Sequence, residues 1–328
     1  MQKSIVFLFS LFLTGCAINV EQPVQMEYAK WFKTLDSATV AVFSPYGGAD
    51  TLRGPVSGMV CMSSSYVGYL DAIGAADAVK GVSGLQFLGT PVNAVEVGYD
   101  AALNYEAVIS SGADLFVTYT VSGVEPPYLE KLRELGVRTV VLSEHLESHP
   151  LARAEYVKLF GALTGRSSEA DSVFSAVRSR YESLTRSVSS RARVLLNIPY
   201  ADIWYVPGGD NYMTRLIHDA GGSVLGSVPG KMESSAISME KAFSYSKEAD
   251  FWLNTGWCSS IEALHSVNPF FEEFQVPSVW NNTLQTTPGG GNMFWETGPV
   301  RPDLILEDLI DIFSGSAPDS LHYYLRCR

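Results

Sequence analysis

The sequence predicts an α/β fold with two lobes, each built on a parallel sheet, joined by a single long helix. Three observations support this prediction. The chain has 328 residues, of which 46% are hydrophobic, which is enough for two hydrophobic cores. Strand-like and helix-like segments alternate over residues 39–148 and again over residues 189–328. Residues 149–188, between them, show helical periodicity and no strand pattern.

The amino-terminal residues are typical of an export signal. A lysine precedes the apolar residues 5–13, a segment too short to span a bilayer. The motif LTGC, which ends at Cys16, resembles a bacterial lipobox. We therefore expect residues 1–15 to be a lipoprotein signal peptide, Cys16 to be lipidated, and residues 16–38 to be a tether to a membrane. The alternative is an ordinary signal peptide with a chance cysteine.

The first lobe, residues 39–148, is predicted from runs of β-branched and aromatic residues that alternate with helical segments. The apolar run at residues 113–119 is continuous rather than alternating, which is typical of a strand in a parallel sheet. We expect strands at residues 39–46, 58–64, 78–84, 113–119 and 137–143, and helices at residues 66–79, 103–112 and 126–136.

The connecting segment, residues 149–188, is predicted to be one long helix. Its apolar side chains recur at the spacing of one helical face: Ala170, Val173, Phe174, Val177, Tyr181 and Leu184. Ser167 is a candidate N-cap after a local break in LTGRSS. A single stiff helix between two lobes has no pair of flexible loops to rotate about, so we expect little closure on binding.

The second lobe, residues 189–328, returns to the alternating pattern. We expect strands at residues 192–198, 250–256 and 277–282, and helices at residues 211–222, 238–249, 259–267, 269–274 and 301–313. Two stretches of the lobes also resemble each other. Glu106 and Glu240 each begin a helical run that leads to an Ala-Asp pair, at Asp114 and Asp250, and then to an apolar strand.

The net charge limits the possible partners, and the cysteine pattern limits the possible roles of the cysteines. The net charge is −12 and the chain has no block of Lys or Arg, which argues against nucleic acid and against an anionic membrane surface. Apart from Cys16, the cysteines are Cys61, Cys258 and Cys327, which form no CxxC pattern. We expect them to be packing residues, with a Cys258–Cys327 bridge as an open alternative.

Several segments, taken together, carry a resemblance to a known family. They are AIGAADAVKGVSG, NYEAVISSGADLF, HPLARAEYVKLFGALTG, WYVPGGDNYMTRLIHDAGG, ISMEKAF, GGGNMFWETGPVRPDLILEDLIDIF and LHYYLR. With the lipobox-like motif, they make the chain resemble a substrate-binding lipoprotein of an ABC importer over about residues 55–315. The resemblance is to the class III, TroA-like branch, which binds ferric siderophores, cobalamin or haem. It implies two Rossmann-like lobes and an ABC importer permease dimer as partner.

The resemblance also implies a role for Glu106 and Glu240. In this family, one exposed Glu on each lobe pairs with arginines of the two-fold permease. The alternative is that both are helix-start carboxylates, which the helix dipole favours.

The ligand is expected in the cleft, because open α/β sheets bind ligands at the carboxyl ends of their strands. Most of the candidates are aromatic residues, which suit a bulky chelate or tetrapyrrole. For each one, the alternative to ligand contact is packing in the hydrophobic core. The candidates are Ser65, Tyr66, Phe87, Tyr119, Trp204, Tyr205, Trp257, Trp280 and Trp295. Arg53 and Arg301 are candidates for contacting a negatively charged chelate, and the glycines of TPGGGN are expected in a tight loop at the cleft mouth rather than in a phosphate loop.

The ligand expected first is a ferric siderophore, followed by cobalamin and then haem, carried as cargo and not as a cofactor. For haem, His145, Tyr66 and Tyr119 are candidate axial ligands. A bare Zn or Mn carrier is a weaker alternative, because the loop SSSYVG after the second predicted strand contains no His. An enzyme is not expected, since GWCSSIE lacks the G-x-S-x-G spacing and no His partner can be assigned to a nucleophile.

Overall fold

A computed structural model describes most of the chain. The predicted signal peptide, Cys16 and the first part of the predicted tether lie outside the described residues. Among the residues that are described, none of the helices has both the length and the apolar character needed to cross a bilayer. The described residues are 26–120, 123–186, 188, 191–318 and 320–328.

A three-stranded antiparallel sheet precedes the first lobe. Its strands are β1 (Phe32–Asp36), β2 (Thr39–Phe43) and β3 (Ala49–Arg53), with β2 in the middle. The segment at residues 39–46 was expected as a strand of the parallel sheet. The structure differs because only two residues separate β1 from β2, and a connection that short can join only antiparallel neighbours.

The first lobe contains a five-stranded parallel sheet with the strand order β6-β5-β4-β7-β8. Its elements in chain order are β4 (Met59–Cys61), α1 (Ser64–Ala72), β5 (Val79–Val82), β6 (Val95–Glu96), α2 (Tyr105–Ser110), β7 (Leu115–Tyr119), α3 (Tyr128–Glu134) and β8 (Thr139–Leu142). The order reverses between β4 and β7, so a crevice opens at the carboxyl ends of these two strands.

Three consecutive helices connect the lobes, where one helix was expected. They are α4 (Pro150–Ala154), α5 (Val157–Thr164) and α6 (Ser167–Thr185). Gly165, with a φ of 72°, ends α5 in a left-handed conformation, and this interrupts the helix before α6. Ser167 is the first residue of α6 rather than its N-cap, and its hydroxyl donates to the carbonyl of Ser37 at 2.8 Å.

Helix α6 packs with the apolar face that its sequence predicts. Ala170, Phe174, Val177 and Tyr181 are buried, while Val173 and Leu184 are half-buried. The buried face contacts α5 on one side and a helix of the second lobe on the other. The 19 residues of α6 therefore form the long part of the connection.

The second lobe contains a five-stranded sheet with the order β11-β9-β13-β14-β15, parallel except for β15 at one edge. Strands β10 and β12 form a separate antiparallel ribbon. The elements in chain order are β9 (Ala192–Leu196), β10 (Trp204–Val206), α7 (Tyr212–Asp219), β11 (Gly222–Val224), β12 (Ser235–Ile237), α8 (Met239–Ser246), β13 (Phe251–Leu253), α9 (Ile261–Val267), β14 (Ser278–Asn281), α10 (Met293–Glu296), α11 (Pro302–Ser314) and β15 (Leu325–Arg326). The predicted α/β fold with two lobes is confirmed.

Residues 26–38, expected to be part of the tether, belong instead to the folded body. The buried carboxylate of Glu155 accepts hydrogen bonds from the backbone amides of residues 27–29, at 2.8 to 3.0 Å. Buried Glu147 accepts bonds from the amides of residues 30 and 31, at 2.8 and 3.1 Å. Glu155 also pairs with Lys158 at 3.5 Å, and Glu147 also accepts a bond from the Tyr156 hydroxyl at 3.4 Å. Because hydrogen bonds to buried carboxylates are strong, the amide bonds fix the segment against the connecting helices.

Candidate functional site

A pocket of about 270 Å³ lies at the carboxyl edge of the second-lobe sheet. The loops that follow β9, β13 and β14 form three of its sides, and the start of α10 forms the fourth. This is where a ligand is expected in an open α/β sheet. Its lining residues are Asn197, Ile198, Asn254, Gly256, Trp257, Asn282, Asn292 and Trp295.

Asn197 and Asn254 give the pocket its shape. Each is the first residue after a central strand, and each has a left-handed backbone, with φ of 68° and 62°. Asn tolerates this conformation better than most residues. The side chain of Asn197 donates to the carbonyl of Tyr205 at 3.2 Å, and that of Asn254 accepts from the Tyr324 hydroxyl at 2.9 Å. These bonds hold both turns, so the chain leaves the sheet sharply and exposes the pocket.

Among the residues that the structure describes, those that line the pocket include no ionisable side chain. The lining consists of four carboxamides, two indoles, one isoleucine and one glycine. Each carboxamide can both donate and accept hydrogen bonds, and each indole offers a flat apolar surface. The chemistry of the lining therefore fits an uncharged ligand with polar groups around its edge.

Both tryptophans of the pocket are far more exposed than residues of the hydrophobic core. Trp257 is 71% exposed and Trp295 is 47% exposed. The carboxamide of Asn281 donates to the carbonyls of Gly256 and Cys258, at 2.9 and 2.8 Å, and fixes the loop that carries Trp257. A large indole held in solvent by a fixed loop is typical of a binding surface.

Five of the aromatic candidates from the sequence are accessible. Trp257 and Trp295 line the pocket. Exposed Tyr205 lies beside the pocket, since its carbonyl accepts the hydrogen bond from the side chain of Asn197. In the first lobe, half-buried Tyr119 ends β7, and exposed Phe87 follows β5. Their contact with a ligand stays a prediction.

The other four candidates are buried, and the prediction that they bind ligand is corrected. Ser65 bonds to the hydroxyl of Ser63 inside the start of α1. The hydroxyl of Tyr66 lies 3.2 Å from the carbonyl of Thr118 and 3.4 Å from a carboxylate oxygen of Glu144, so Tyr66 is also not available as an axial haem ligand. Both face the first-lobe core because they lie on the inner face of α1.

Trp204 and Trp280 are buried in strands of the second lobe, and for Trp204 the reason is the alternation of side chains along its strand. Trp204 in β10 stacks on Phe274, with the ring centroids 6.1 Å apart, and donates to the carbonyl of Leu196 at 2.9 Å. Its neighbour Tyr205 takes the exposed side of the same strand. Trp280 in β14 donates to the hydroxyl of Ser278 at 2.9 Å and lines a separate pocket behind the sheet.

A buried charge network lies behind the carboxyl edge of the first-lobe sheet. Glu144 lies 3.9 Å from the ring of His145 and 3.9 Å from the guanidinium of Arg153. Burial alone would raise the pKa of Glu144, but His145 and Arg153 hold it below its ordinary value. Arg153 also lies over the ring of Tyr212, at 4.3 Å, which joins α4 to the second lobe. Both ring nitrogens of His145 are buried, which does not favour it as an axial haem ligand.

The lobes make a second contact, apart from the connecting helices, through Glu296. Its buried carboxylate, in α10, accepts hydrogen bonds from the amides of Gly89 and Thr90 in the first lobe, at 2.9 and 2.8 Å. A Cβ atom at Gly68 in α1 would lie 2.0 Å from the carbonyl oxygen of Glu296, so the glycine allows the close approach. The sequence analysis missed Glu296, and the helix-interior Gly68 was its only local signal.

The glycine-rich segment TPGGGN belongs to the same contact. A Cβ atom at Gly289 would lie 1.8 Å from the carbonyl oxygen of Gln86, and one at Gly291 would lie 1.7 Å from that of Phe87. The hydroxyl of Thr287 donates to the Phe87 carbonyl at 3.2 Å. These glycines therefore serve a backbone-to-backbone contact between lobes. We call this contact, residues 86–90 against residues 287–296, the interlobe clamp.

Glu106 and Glu240 occupy equivalent exposed positions. Each is the second residue of its helix, α2 or α8, and each helix is capped by the preceding side chain, Asn104 or Ser238. Helix α2 leads to β7, which lies beside β4, the first strand of the first-lobe sheet. Helix α8 leads to β13, which lies beside β9, the first strand of the second-lobe sheet. The hydrogen bond from Ser238 lowers the pKa of Glu240.

The arginines considered for an anionic ligand lie elsewhere. Arg301 forms a two-bond ion pair with Asp303, at 2.8 and 2.9 Å, in a groove against α6. Arg53 ends β3 in the antiparallel sheet. Within the described part of the chain, no group of three or more His, Cys, Asp or Glu side chains is arranged to hold a metal ion.

Comparisons with known proteins agree with this architecture. A family described as periplasmic binding protein matches residues 59–275. An uncharacterized lipoprotein of Methanocaldococcus jannaschii is 24% identical over 300 residues, which cover 83% of this chain and 69% of that protein. A periplasmic heme-binding protein from Pseudomonas aeruginosa has a TM-score of 0.63 at 20% identity, over 83% of this chain and 98% of its own. A periplasmic vitamin B12-binding protein of Vibrio cholerae has a TM-score of 0.56 at 15% identity, over 80% and 98%.

Proposed function

Because this chain belongs to the periplasmic binding protein family, we propose that it is the lipid-anchored, extracytoplasmic substrate-binding protein of an ABC importer and that it carries an uncharged metal chelate. Proteins of this family bind solutes and catalyse no reaction, so the prediction that the chain is not an enzyme is confirmed. The lipid anchor is Cys16, and the lipoprotein name of the Methanocaldococcus relative supports it.

The observation that carries the choice of ligand is the uncharged pocket lining. Burying an ionised carboxylate without a cationic or hydrogen-bonding partner costs several kcal/mol even after the surrounding protein relaxes. Haem carries two carboxylates, and ferric catecholate complexes carry a net negative charge. Arg301 is paired to Asp303 and Arg53 lies in another sheet, so the described lining of this pocket contains no arginine to receive such groups. A chelate without net charge at its edge avoids that cost.

Among uncharged chelates, a corrinoid fits the lining best. The corrin edge carries amide groups, which both donate and accept hydrogen bonds and so match the carboxamides of the pocket. Asn197, Asn254 and Asn292 each use one polar atom of the side chain in a structural bond and have a second polar atom. The two exposed indoles offer flat surfaces for the ring. The vitamin B12-binding protein of Vibrio cholerae shares this fold, which supports the proposal. The second candidate is a ferric hydroxamate siderophore, whose iron complex is also neutral.

On this proposal, the protein first binds the chelate and then docks on the permease. The interlobe clamp and the connecting helices join the lobes at two places, so we expect little closure when the chelate binds. The loaded protein would then present Glu106 and Glu240, one on each lobe, to the two halves of the permease dimer. Exposed carboxylates on a partner surface act mainly through the rate and specificity of association.

Calorimetric titration of the full-length lipidated protein tests the ligand assignment. The probes are cyanocobalamin, a ferric trihydroxamate, a ferric tricatecholate, haem, Zn²⁺ and Mn²⁺. We expect cyanocobalamin to bind most tightly and the trihydroxamate next. Tighter binding of haem or of the catecholate would refute an uncharged cargo, and binding of Zn²⁺ or Mn²⁺ alone would refute chelate transport.

A further inference from the structure

Two buried cysteines of the second lobe share one small site. Cys258 is 3% exposed and Cys327 is 5% exposed. The sulfur atom of Cys327 lies 3.5 Å from the carbonyl oxygen of Cys258. The hydroxyl of Thr255 lies 3.9 Å from the same sulfur and 3.5 Å from the same carbonyl oxygen. Both thiols are unbridged in the structure.

From this geometry we propose that Cys258 and Cys327 form a disulfide bond in the exported protein; the inference rests on the extracytoplasmic location proposed above. Standard bond lengths and the 3.5 Å contact keep the two Cα atoms within roughly 9 Å of each other. A disulfide needs a separation of about 4.4 to 6.8 Å. Rotation of the side chains and a shift of a few ångström therefore close the bridge.

The segment that carries Cys327 is able to make this shift. Cys327 follows β15, which is the edge strand of the sheet and is bonded to a neighbouring strand on one side only. Its amide donates to the carbonyl of Val279 at 2.9 Å, and the amide of Ile261 donates to the carbonyl of Arg328 at 3.3 Å. These two bonds keep residues 327 and 328 next to the Cys258 loop while the edge strand adjusts.

The chemistry is oxidation by thiol–disulfide exchange. The two S–H bonds break, one S–S bond forms, and two protons and two electrons pass to a disulfide-bearing oxidant, which becomes a dithiol. Extracytoplasmic compartments supply such oxidants. Burial raises the pKa of both thiols in the folded protein, which leaves little thiolate. The bridge therefore forms during folding, before the second lobe closes around it.

The bridge acts on the proposed binding pocket. The loop at residues 254–260, between β13 and α9, carries the exposed Trp257, and Cys258 is the next residue. A covalent bond from Cys258 to Cys327, beside the edge strand, fixes this loop next to Trp257, in addition to the two hydrogen bonds from Asn281. The disulfide thus holds one wall of the pocket in its binding position.

Peptide mapping by mass spectrometry tests the bridge. Full-length lipidated protein is purified without reductant, denatured in the presence of an alkylating agent and digested. We expect a peptide that links Cys258 to Cys327, together with alkylated Cys61, which lies in β4 of the other lobe and serves as the internal control. Alkylation of both Cys258 and Cys327 in protein never exposed to reductant would refute the bridge.

A second measurement separates the bridge from ordinary packing. Reductant is expected to lower the Tm of the wild type and of Cys61→Ala, and to leave the Tm of the Cys258→Ala/Cys327→Ala double variant unchanged. A wild-type Tm that does not respond to reductant would contradict the proposal. Ligand titration is independent of both tests. If the protein binds a chelate while both thiols are free, only the bridge is refuted. If the bridged protein binds none of the probes, only the proposed function is refuted.

Discussion

His149 links the stability of the connecting segment to pH. Its ring nitrogen Nδ1 accepts a hydrogen bond from the amide of Leu151 at 3.0 Å, so the neutral imidazole caps α4. Burial, and after it the positive charge of Arg215, lowers the pKa of His149 from 6.5 to about 4. Asp219 and Glu182 oppose this shift.

Thermal unfolding between about pH 7 and pH 4 tests this link. Because the folded-state pKa of His149 is lowered, the unfolded state binds more protons between pH 6.5 and about 4. The contribution of His149 to the free energy of unfolding is therefore present above pH 6.5 and lost as the pH falls. His149→Asn keeps a capping acceptor that does not titrate, so we expect its Tm to fall less steeply. Equal slopes for the two proteins would contradict this assignment.

Substitutions of Trp257 and Trp280 distinguish an effect on ligand contact from an effect on packing. Trp257→Ala removes an exposed indole from the pocket, and we expect the Kd for the chelate to rise about tenfold, since such a contact contributes about 1–1.5 kcal/mol. Trp280→Phe changes a buried indole behind the sheet and should lower the Tm with an unchanged Kd. Calorimetry and thermal unfolding of both variants provide the comparison. Equal effects on Kd would argue against the pocket.

At the scale of elements, the interlobe clamp depends on backbone contact between two loops. Glu296→Ala leaves two amides of the first lobe without their acceptor, which costs about 2–4 kcal/mol. Gly291→Ala places a methyl group against the Phe87 carbonyl and should cost at least about 2 kcal/mol. We expect both variants to unfold at lower temperature and in two steps, because the lobes no longer unfold together.

Differential scanning calorimetry measures this effect directly, since it separates overlapping transitions. Glu273→Ala is the matched control, because Glu273 is an exposed carboxylate in the same lobe. The control should keep the wild-type Tm and a single transition. A wild-type profile in Glu296→Ala would show that the clamp does not couple the lobes.

The helices α2 and α8 explain the repeated stretch in the sequence. Each ends before an Asp whose carboxylate accepts a backbone amide at the amino-terminal side of the sheet: Asp114 from Ser57 at 2.6 Å, and Asp250 from Arg193 at 2.8 Å. The repeat thus marks the same crossover used in both lobes. The two helices differ in length, six residues against eight, which accounts for the different spacing in the sequence.

At the scale of the whole molecule, the docking proposal predicts separate effects on binding and on transport. The double variant Glu106→Ala/Glu240→Ala should bind the chelate with wild-type affinity and lose uptake, because both carboxylates are exposed and neither lines the pocket. Calorimetry and uptake of labelled chelate into cells measure the two properties.

Glu130→Ala/Glu262→Ala provides the control for this prediction. These residues are also exposed carboxylates in the first turns of their helices, α3 and α9, and the double variant removes the same charge. We expect it to support normal uptake. Equal loss of uptake in both double variants would indicate a general charge effect, and loss of chelate affinity in the first would place Glu106 and Glu240 in the binding site.

Much of the architecture followed from the sequence alone. The alternation of strand and helix segments, the continuous apolar runs of parallel strands, and the apolar face of α6 determined two α/β lobes and a helical connection. These features are local, because side-chain periodicity and breakers act within a few residues. The quoted segments were also enough to identify the family that residues 59–275 match.

The tertiary structure decided which residues form the site and placed residues 26–38 in the folded body. Trp204 and Tyr205 are neighbours with the same sequence signal, yet strand alternation buries one and exposes the other. The docking of residues 26–31 on Glu147 and Glu155, and of Gly89 and Thr90 on Glu296, joins parts of the chain that are far apart in sequence. Such pairings depend on how whole elements pack; a local signal such as the glycine at position 68 in α1 marks a close approach but does not identify the partner.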